Sequence, residues 1–163
     1  MPNVSIIARI AQPEHVRRIL RRENASIARV DRQTETWFST ARGRLVLREA
    51  DTRNELAAIG LDGVEHPVRH KPDSTAALKE VLLEALELLA VVEKQRETFT
   101  LRDTIAHLDE VEGLGTFAQI EAIDDEGTTD EQTLRSRCLA TLALLGLTER
   151  DLIPGRYIDL LLG

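Results

Sequence analysis

The segment HLDEVEGLGTFAQIE, residues 107–121, places Asp109, Glu110 and Glu112 ahead of Gly113 and Gly115 and closes on Glu121. Carboxylate oxygens at this density suit a hard divalent cation such as Mg²⁺ or Mn²⁺, which prefers oxygen ligands and keeps several of its waters. The glycines mark a hairpin turn, and side chains alternate between the two faces of each flanking strand. His107, Asp109 and Val111 therefore share one side, and Leu108, Glu110 and Glu112 the other. A hairpin centred on Leu114 pairs Asp109 with Gln119, His107 with Glu121 and Val111 with Phe117. That register collects His107, Asp109, Gln119 and Glu121 on one face. On spacing alone a solvated face is the simpler account, and a one-residue slip would scatter the group.

The cations sort in the same way. Arg44 and Arg48 share a face of GRLVLRE, and Lys94 and Arg96 share a face of VVEKQRETF. Converging guanidinium and ammonium groups hold a polyphosphate through bidentate hydrogen bonds and charge neutralisation, although charged side chains more often simply face water. The net charge of −7 hides an asymmetry. Residues 1–50 carry ten arginines against five acids, and residues 51–163 carry eleven cations against twenty-three acids.

Other chemistries find little support. No glycine-rich loop precedes a helix, so neither dinucleotide nor P-loop spacing is present. Cys138 lies on an apolar helix face and reads as core. As a lone cysteine it allows no internal disulfide, which fits a reducing cytoplasm. His66 and His70 lie in a proline-bounded loop without a metal-ligand partner, and His15 is expected at the surface. The net charge disfavours nucleic acid, with Arg17, Arg18, Arg21 and Arg22 read as a solvated helix face. Aromatics at 3% leave few platforms for base stacking. The most apolar run, LLEALELLAVV, is interrupted by Glu84 and Glu87, so no membrane span is expected.

These residues must be positioned by about eight strands and three helices. Strands are expected over 4–10, through ASIARVDRQTETWFST as one segment or two, and in RLVLRE, ELAAIG, 91–101, IAHLDEV and TFAQIEAI. A helix starts at Pro13 with Val16, Ile19 and Leu20 on one face. A second, capped by Asp73 or Ser74, turns Leu78, Val81, Leu82, Ala85 and Leu89 inward. A third carries Leu134, Cys138, Leu142 and Leu145, and Thr148 caps a short turn after it. Residues 61–73 read as an irregular connection. The pattern predicts α+β with a largely antiparallel sheet in a single domain, 1–163.

The order of these segments, with HLDEVEGLGTF as its most specific part and GRLVLRE and VVEKQRE in support, resembles the CYTH family. This family contains class IV (CyaB-like) adenylyl cyclases and thiamine triphosphatases within the triphosphate tunnel metalloenzymes. The resemblance implies an antiparallel eight-stranded β-barrel enclosing a tunnel, with flanking helices. Basic residues of that tunnel hold a triphosphate, and its carboxylates bind Mg²⁺ or Mn²⁺. Carried over by position, Arg44, Arg48, Lys94 and Arg96 look like phosphate contacts, and Arg9 like the remaining cation of the first strand. Asp109 and Glu121 look like tunnel carboxylates, with Glu110 a further candidate for the metal.

The departures from the family pattern are specific. Its first strand carries alternating acids and cations of E-x-E-x-K or E-x-K-x-R type, whereas this chain has Ser5, Ile7 and Arg9. Val46 stands where a lysine is usual, Ile105 near a usual arginine and Gln119 near a usual glutamate. The expectation is therefore a divergent member that binds a phosphorylated anion, a triphosphate or nucleotide, with catalysis lost or weak. The alternatives are a metal-dependent triphosphate hydrolase or class IV-type adenylyl cyclase, and a non-catalytic protein-interaction module. A cytoplasmic protein is expected, and self-association is compatible with the sequence.

Overall fold

The computed structural model describes residues 3–67 and 74–163. Eight strands, β1 (Asn3–Ile10), β2 (Ser26–Thr40), β3 (Gly43–Ala50), β4 (Asn54–Gly60), β5 (Glu65–Pro67), β6 (Glu87–Leu101), β7 (Thr104–Val111) and β8 (Gly115–Ile123), form one sheet. Its order is β1-β8-β7-β6-β2-β3-β4-β5. Four α-helices accompany it: α1 (Pro13–Arg22), α2 (Ala76–Ala85), α3 (Glu131–Leu144) and α4 (Tyr157–Leu162). The class is α+β with eight antiparallel strands, as the sequence predicts. The chain divides into two compact units, Met1–Val30 with Gln95–Arg156, and Asp31–Lys94 with Tyr157–Gly163.

In the first unit β8 pairs with β1 on one side and β7 on the other, placing Ile6 opposite Ile120 and Leu108 opposite Ala118. The apolar side of these strands packs with Val16, Ile19 and Leu20 of α1 and Leu134, Cys138 and Leu142 of α3 in one core. Pro13 opens α1, where its missing N–H costs nothing. The Asp130 carboxylate caps α3 by accepting from the Thr133 N–H at 2.8 Å. Beyond α3, Thr148 caps a 3-10 turn, Glu149–Asp151, through a capping box. The chain then returns to the outer edge of β1: the Ile153 N–H donates to the Ile7 carbonyl at 2.9 Å, and Leu152 bridges Ala8.

In the second unit β2, β3, β4 and β5 follow one another as antiparallel neighbours. Ala41 and Arg42 make the turn between β2 and β3, since Thr40 pairs with Gly43. Phe38 and Leu47 are fully buried on one face, and Trp37 and Val46 on the other. Gly43 has φ +138°, and a Cβ there would stand 2.1 Å from the Ile59 carbonyl oxygen. That approach holds the β3 start against the β4 end.

The leucine-rich segment departs from expectation. Helix α2 stops at Ala85, Leu86 is extended, and β6 begins at Glu87, so Leu89 is a strand residue. No residue of α2 is buried, and Val81, expected inward, is 62% exposed. A leucine run suits a helix or a strand about equally by period, and the following Val91 and Val92 favour extension. Thr75 is the N-cap residue instead of Ser74; its hydroxyl donates to Glu49 Oε2 at 2.5 Å and does not close on the helix. Asp73 and His70 lie outside the described residues. The connection expected to be irregular includes the short strand β5.

Gly43→Ala is expected to lower the unfolding free energy by at least about 2 kcal/mol, because the methyl group meets backbone at a strained φ. The urea midpoint measures it. Gly113→Ala meets no atom within 4 Å, so its cost should be smaller and come from φ alone.

Candidate functional site

The β7–β8 hairpin turns on Gly113 rather than Leu114. The Leu114 N–H bonds the Val111 carbonyl at 3.1 Å, and Gly113 takes φ +78°. A three-residue loop, 112–114, therefore joins strands in which Val111 pairs with Gly115, Asp109 with Phe117, His107 with Gln119 and Ile105 with Glu121. The expected pairings are each displaced by two residues. An even displacement preserves the faces, so His107, Asp109, Gln119 and Glu121 still share one. Ser5, Ile7 and Arg9 of β1 join that face opposite Glu121, Gln119 and Phe117.

A polar chain crosses this face of the first unit. Asp109 has no exposed surface, and both its oxygens accept from Arg96, Nε and Nη2 each at 2.7 Å. The same Nη2 donates to Gln119 Oε1 at 2.6 Å, and Gln119 Nε2 donates to Ser5 Oγ at 3.0 Å. Glu121 stands 3.5 Å from His107 Nε2, whose Nδ1 lies 3.0 Å from the Thr98 hydroxyl. Burial opposes ionisation of Glu121, but the His107 contact and then Arg96 hold its carboxyl below the usual range. Arg9 caps the hairpin: Nη1 donates to the Leu114 carbonyl at 3.2 Å, and its guanidinium lies 4.9 Å from the Phe117 ring centroid.

The second unit holds a separate cluster. Glu35 is 7% exposed and accepts from two cations, Lys94 Nζ at 3.3 Å and Arg48 Nε at 3.0 Å. Arg48 also grips both oxygens of Glu65. Arg44 Nη1 donates to Asp159 of α4 at 2.8 Å, and Lys94 lies 5.2 Å from the Tyr157 ring centroid. Burial works against the Glu35 charge, yet Lys94 and Arg48 overcome it and depress its pKa. Burial likewise opposes the Arg48 charge, and Glu65 and Glu35 raise its pKa.

The sequence candidates thus fall into two groups. Arg9, Arg96, Asp109 and Glu121 belong to the first unit, and Arg44, Arg48 and Lys94 to the second. Glu110 is exposed on the side of β7 opposite Asp109 and joins neither. Glu35, Glu65, Asp159 and Tyr157 are members the sequence reading missed. Glu35 alternates in step with Trp37 along β2, a signal that could have placed it opposite Arg48. Asp159 had none, since its helix reaches Arg44 only through the tertiary fold. Cys138 is core as predicted, its thiol 3.5 Å from the Val4 carbonyl oxygen, and burial pushes its pKa up to about 11. His15 and His66 are exposed. No helix among the described residues is long and apolar enough to cross a membrane.

The fit of these carboxylates to a divalent metal can be judged from their partners. Both Asp109 oxygens are committed to Arg96, and among the described residues no three His, Cys, Asp or Glu side chains converge as a cradle.

The family model for the CYTH domain matches residues 13–157. A conserved hypothetical protein from Pyrococcus furiosus superposes with a TM-score of 0.82 at 22% identity, covering 98% of this chain and 99% of the other. A "putative adenylate cyclase" from Vibrio parahaemolyticus gives 0.77 at 18% identity, covering 99% and 98%. A "putative adenylyl cyclase" from Hippeastrum, with a dominant triphosphatase activity, gives 0.56 at 17%, covering 90% and 89%. At these identities the likeness is one of fold. No curated protein matches the sequence.

Arg96→Ala should cost about 3–5 kcal/mol by stranding the Asp109 charge, and the double variant with Asp109→Leu should recover a large part; urea unfolding of both measures the difference. Glu35 gives a pH signature. Its folded pKa lies below the ordinary 4.5, so its contribution to stability is complete above that value and is lost as pH falls through the folded pKa. The acid limb of the melting temperature should therefore be shallower in Glu35→Gln than in the native chain.

Proposed function

The chain belongs to the CYTH domain family, and from that premise we propose that it binds a phosphorylated anion of the triphosphate or nucleotide class, with catalysis lost or weak. The observation that carries the reading is Glu35. Two cations, the buried Lys94 and the partly buried Arg48, converge on one carboxylate. This is the geometry in which a phosphoryl oxygen is held, here with an internal carboxylate standing in for it. Arg44 is a third cation on the same strand as Arg48, and its pair with Asp159 is more exposed and so easier to exchange. The first unit carries its own two assigned phosphate contacts, Arg9 and Arg96.

A metal-bound triphosphate carries both signs of charge, so it can exchange with ion pairs by offering phosphate to the cations and cation to the acids. Mg²⁺ or Mn²⁺, with Asp109 and Glu121 as the assigned carboxylates, would have to break the Arg96–Asp109 pair and the Glu121–His107 contact. That requirement, together with neutral Ser5 and Gln119, supports weak catalysis. The lone buried thiol fits a cytoplasmic setting. The enzymatic alternative draws on the cyclase and triphosphatase names of the structural neighbours.

Calorimetric titration with tripolyphosphate and ATP, with and without Mg²⁺ or Mn²⁺, tests the reading. Binding is expected without metal, weakening as salt rises. Arg44→Ala should reduce affinity about tenfold while leaving the fold intact, since a half-exposed pair contributes little to stability. Absence of binding under all conditions overturns the ligand assignment. Robust phosphate release or cyclic AMP formation that disappears in Asp109→Ala and Glu121→Ala overturns the weak-catalysis assignment.

A further inference from the structure

Trp37 is the single tryptophan of the chain and is 1% exposed. Its indole Nε1 is buried without a hydrogen-bond partner. Buried indole N–H groups normally find an acceptor, and an exception needs a cause. The position of this one is informative. In the β2–β3 register Trp37 lies opposite Val46, between the rungs Glu35–Arg48 and Ser39–Arg44. Alternation along both strands puts Trp37 on the face that carries the cations. At about 3.3 Å per residue, Arg44 and Arg48 start about 13 Å apart, and Trp37 lies on the rung midway between them. Thr36 Oγ1 is also buried without a partner, but it points to the opposite face and does not bear on this cluster.

The second observation is Val46 itself. It sits between two arginines, fully buried, and contributes no donor. Its cross-strand neighbour holds a donor with nothing to donate to. We propose that the Trp37 indole N–H is a ligand donor, directed to a phosphoryl oxygen of an anion held by Arg44 and Arg48. This rests on the anion-binding reading above and gives the site a member that the cations do not predict. The donor is neutral and directional, so it orients a bound oxygen without adding charge. Engaging it requires local rearrangement around the indole, which is 1% exposed.

A buried water could satisfy the same N–H, and the two accounts differ in what removing the hydrogen does. One variant is Trp37→Phe. The other replaces tryptophan biosynthetically with its benzothiophene analogue, which keeps the bicyclic shape and exchanges N–H for sulfur. Calorimetric titration with tripolyphosphate should show affinity reduced about tenfold to a hundredfold in both, with the melting temperature of the analogue, which conserves shape, no lower than that of the native chain. The native chain should also change its tryptophan emission on titration. Native binding with undiminished affinity in the analogue overturns the donor assignment alone. Lost affinity matched by a lower melting temperature in both variants makes Trp37 a packing residue and overturns it too. No native binding overturns the ligand reading and this inference together.

Discussion

A carboxylate with no exposed surface survives only beside a cation that meets both its oxygens, and Asp109 has Arg96. Desolvating either charge alone is worth several kcal/mol against folding. Two parallel hydrogen bonds at 2.7 Å and the additional bond to Gln119 are what make the pair tolerable. Because Arg96 lies on β6, Asp109 on β7, Gln119 on β8 and Ser5 on β1, this one chain of contacts ties four strands across a single face. The strands' other face is sealed by the apolar core under α1 and α3. The first unit is therefore held from both sides by interactions of opposite character, one directional and one not.

The second unit solves the same electrostatic problem differently. There one acid, Glu35, is shared by two cations, and Arg48 is in turn shared by two acids. A shared arrangement has an intermediate state that the Arg96–Asp109 pair lacks: Arg48 can release Glu35 and remain neutralised by Glu65. This difference is why the anion proposed above is assigned to the second cluster. It also means that charge count is a poor guide to binding here, since the cations identified from sequence all have partners.

Apart from β5 and the first residues of β6, the strands and the faces they present were legible from the sequence, because alternation and the glycine turns are local properties. Helix α1 followed from Pro13 and from Val16, Ile19 and Leu20. The hairpin register slipped by an even number because the choice between Gly113 and Leu114 as the pivot depends on backbone φ, which two nearby glycines leave open. Helix α2 was drawn too long because Leu86, Leu88 and Leu89 satisfy either period. The site was legible as a list of cations and acids, but their pairings were not. Arg44 with Asp159 and Arg48 with Glu65 join residues far apart in the chain or on non-neighbouring strands, and nothing in residue spacing encodes those meetings.

The return of the chain to β1 has a consequence beyond local packing. An edge strand presents unpaired carbonyl and N–H groups that can template a strand from another molecule. Leu152 and Ile153 occupy two of those positions on β1, and the capping box at Thr148 fixes the turn that delivers them. A four-residue signal some 140 positions from β1 thus covers part of the edge at which intermolecular strand pairing would start, from a turn that touches no candidate ligand group.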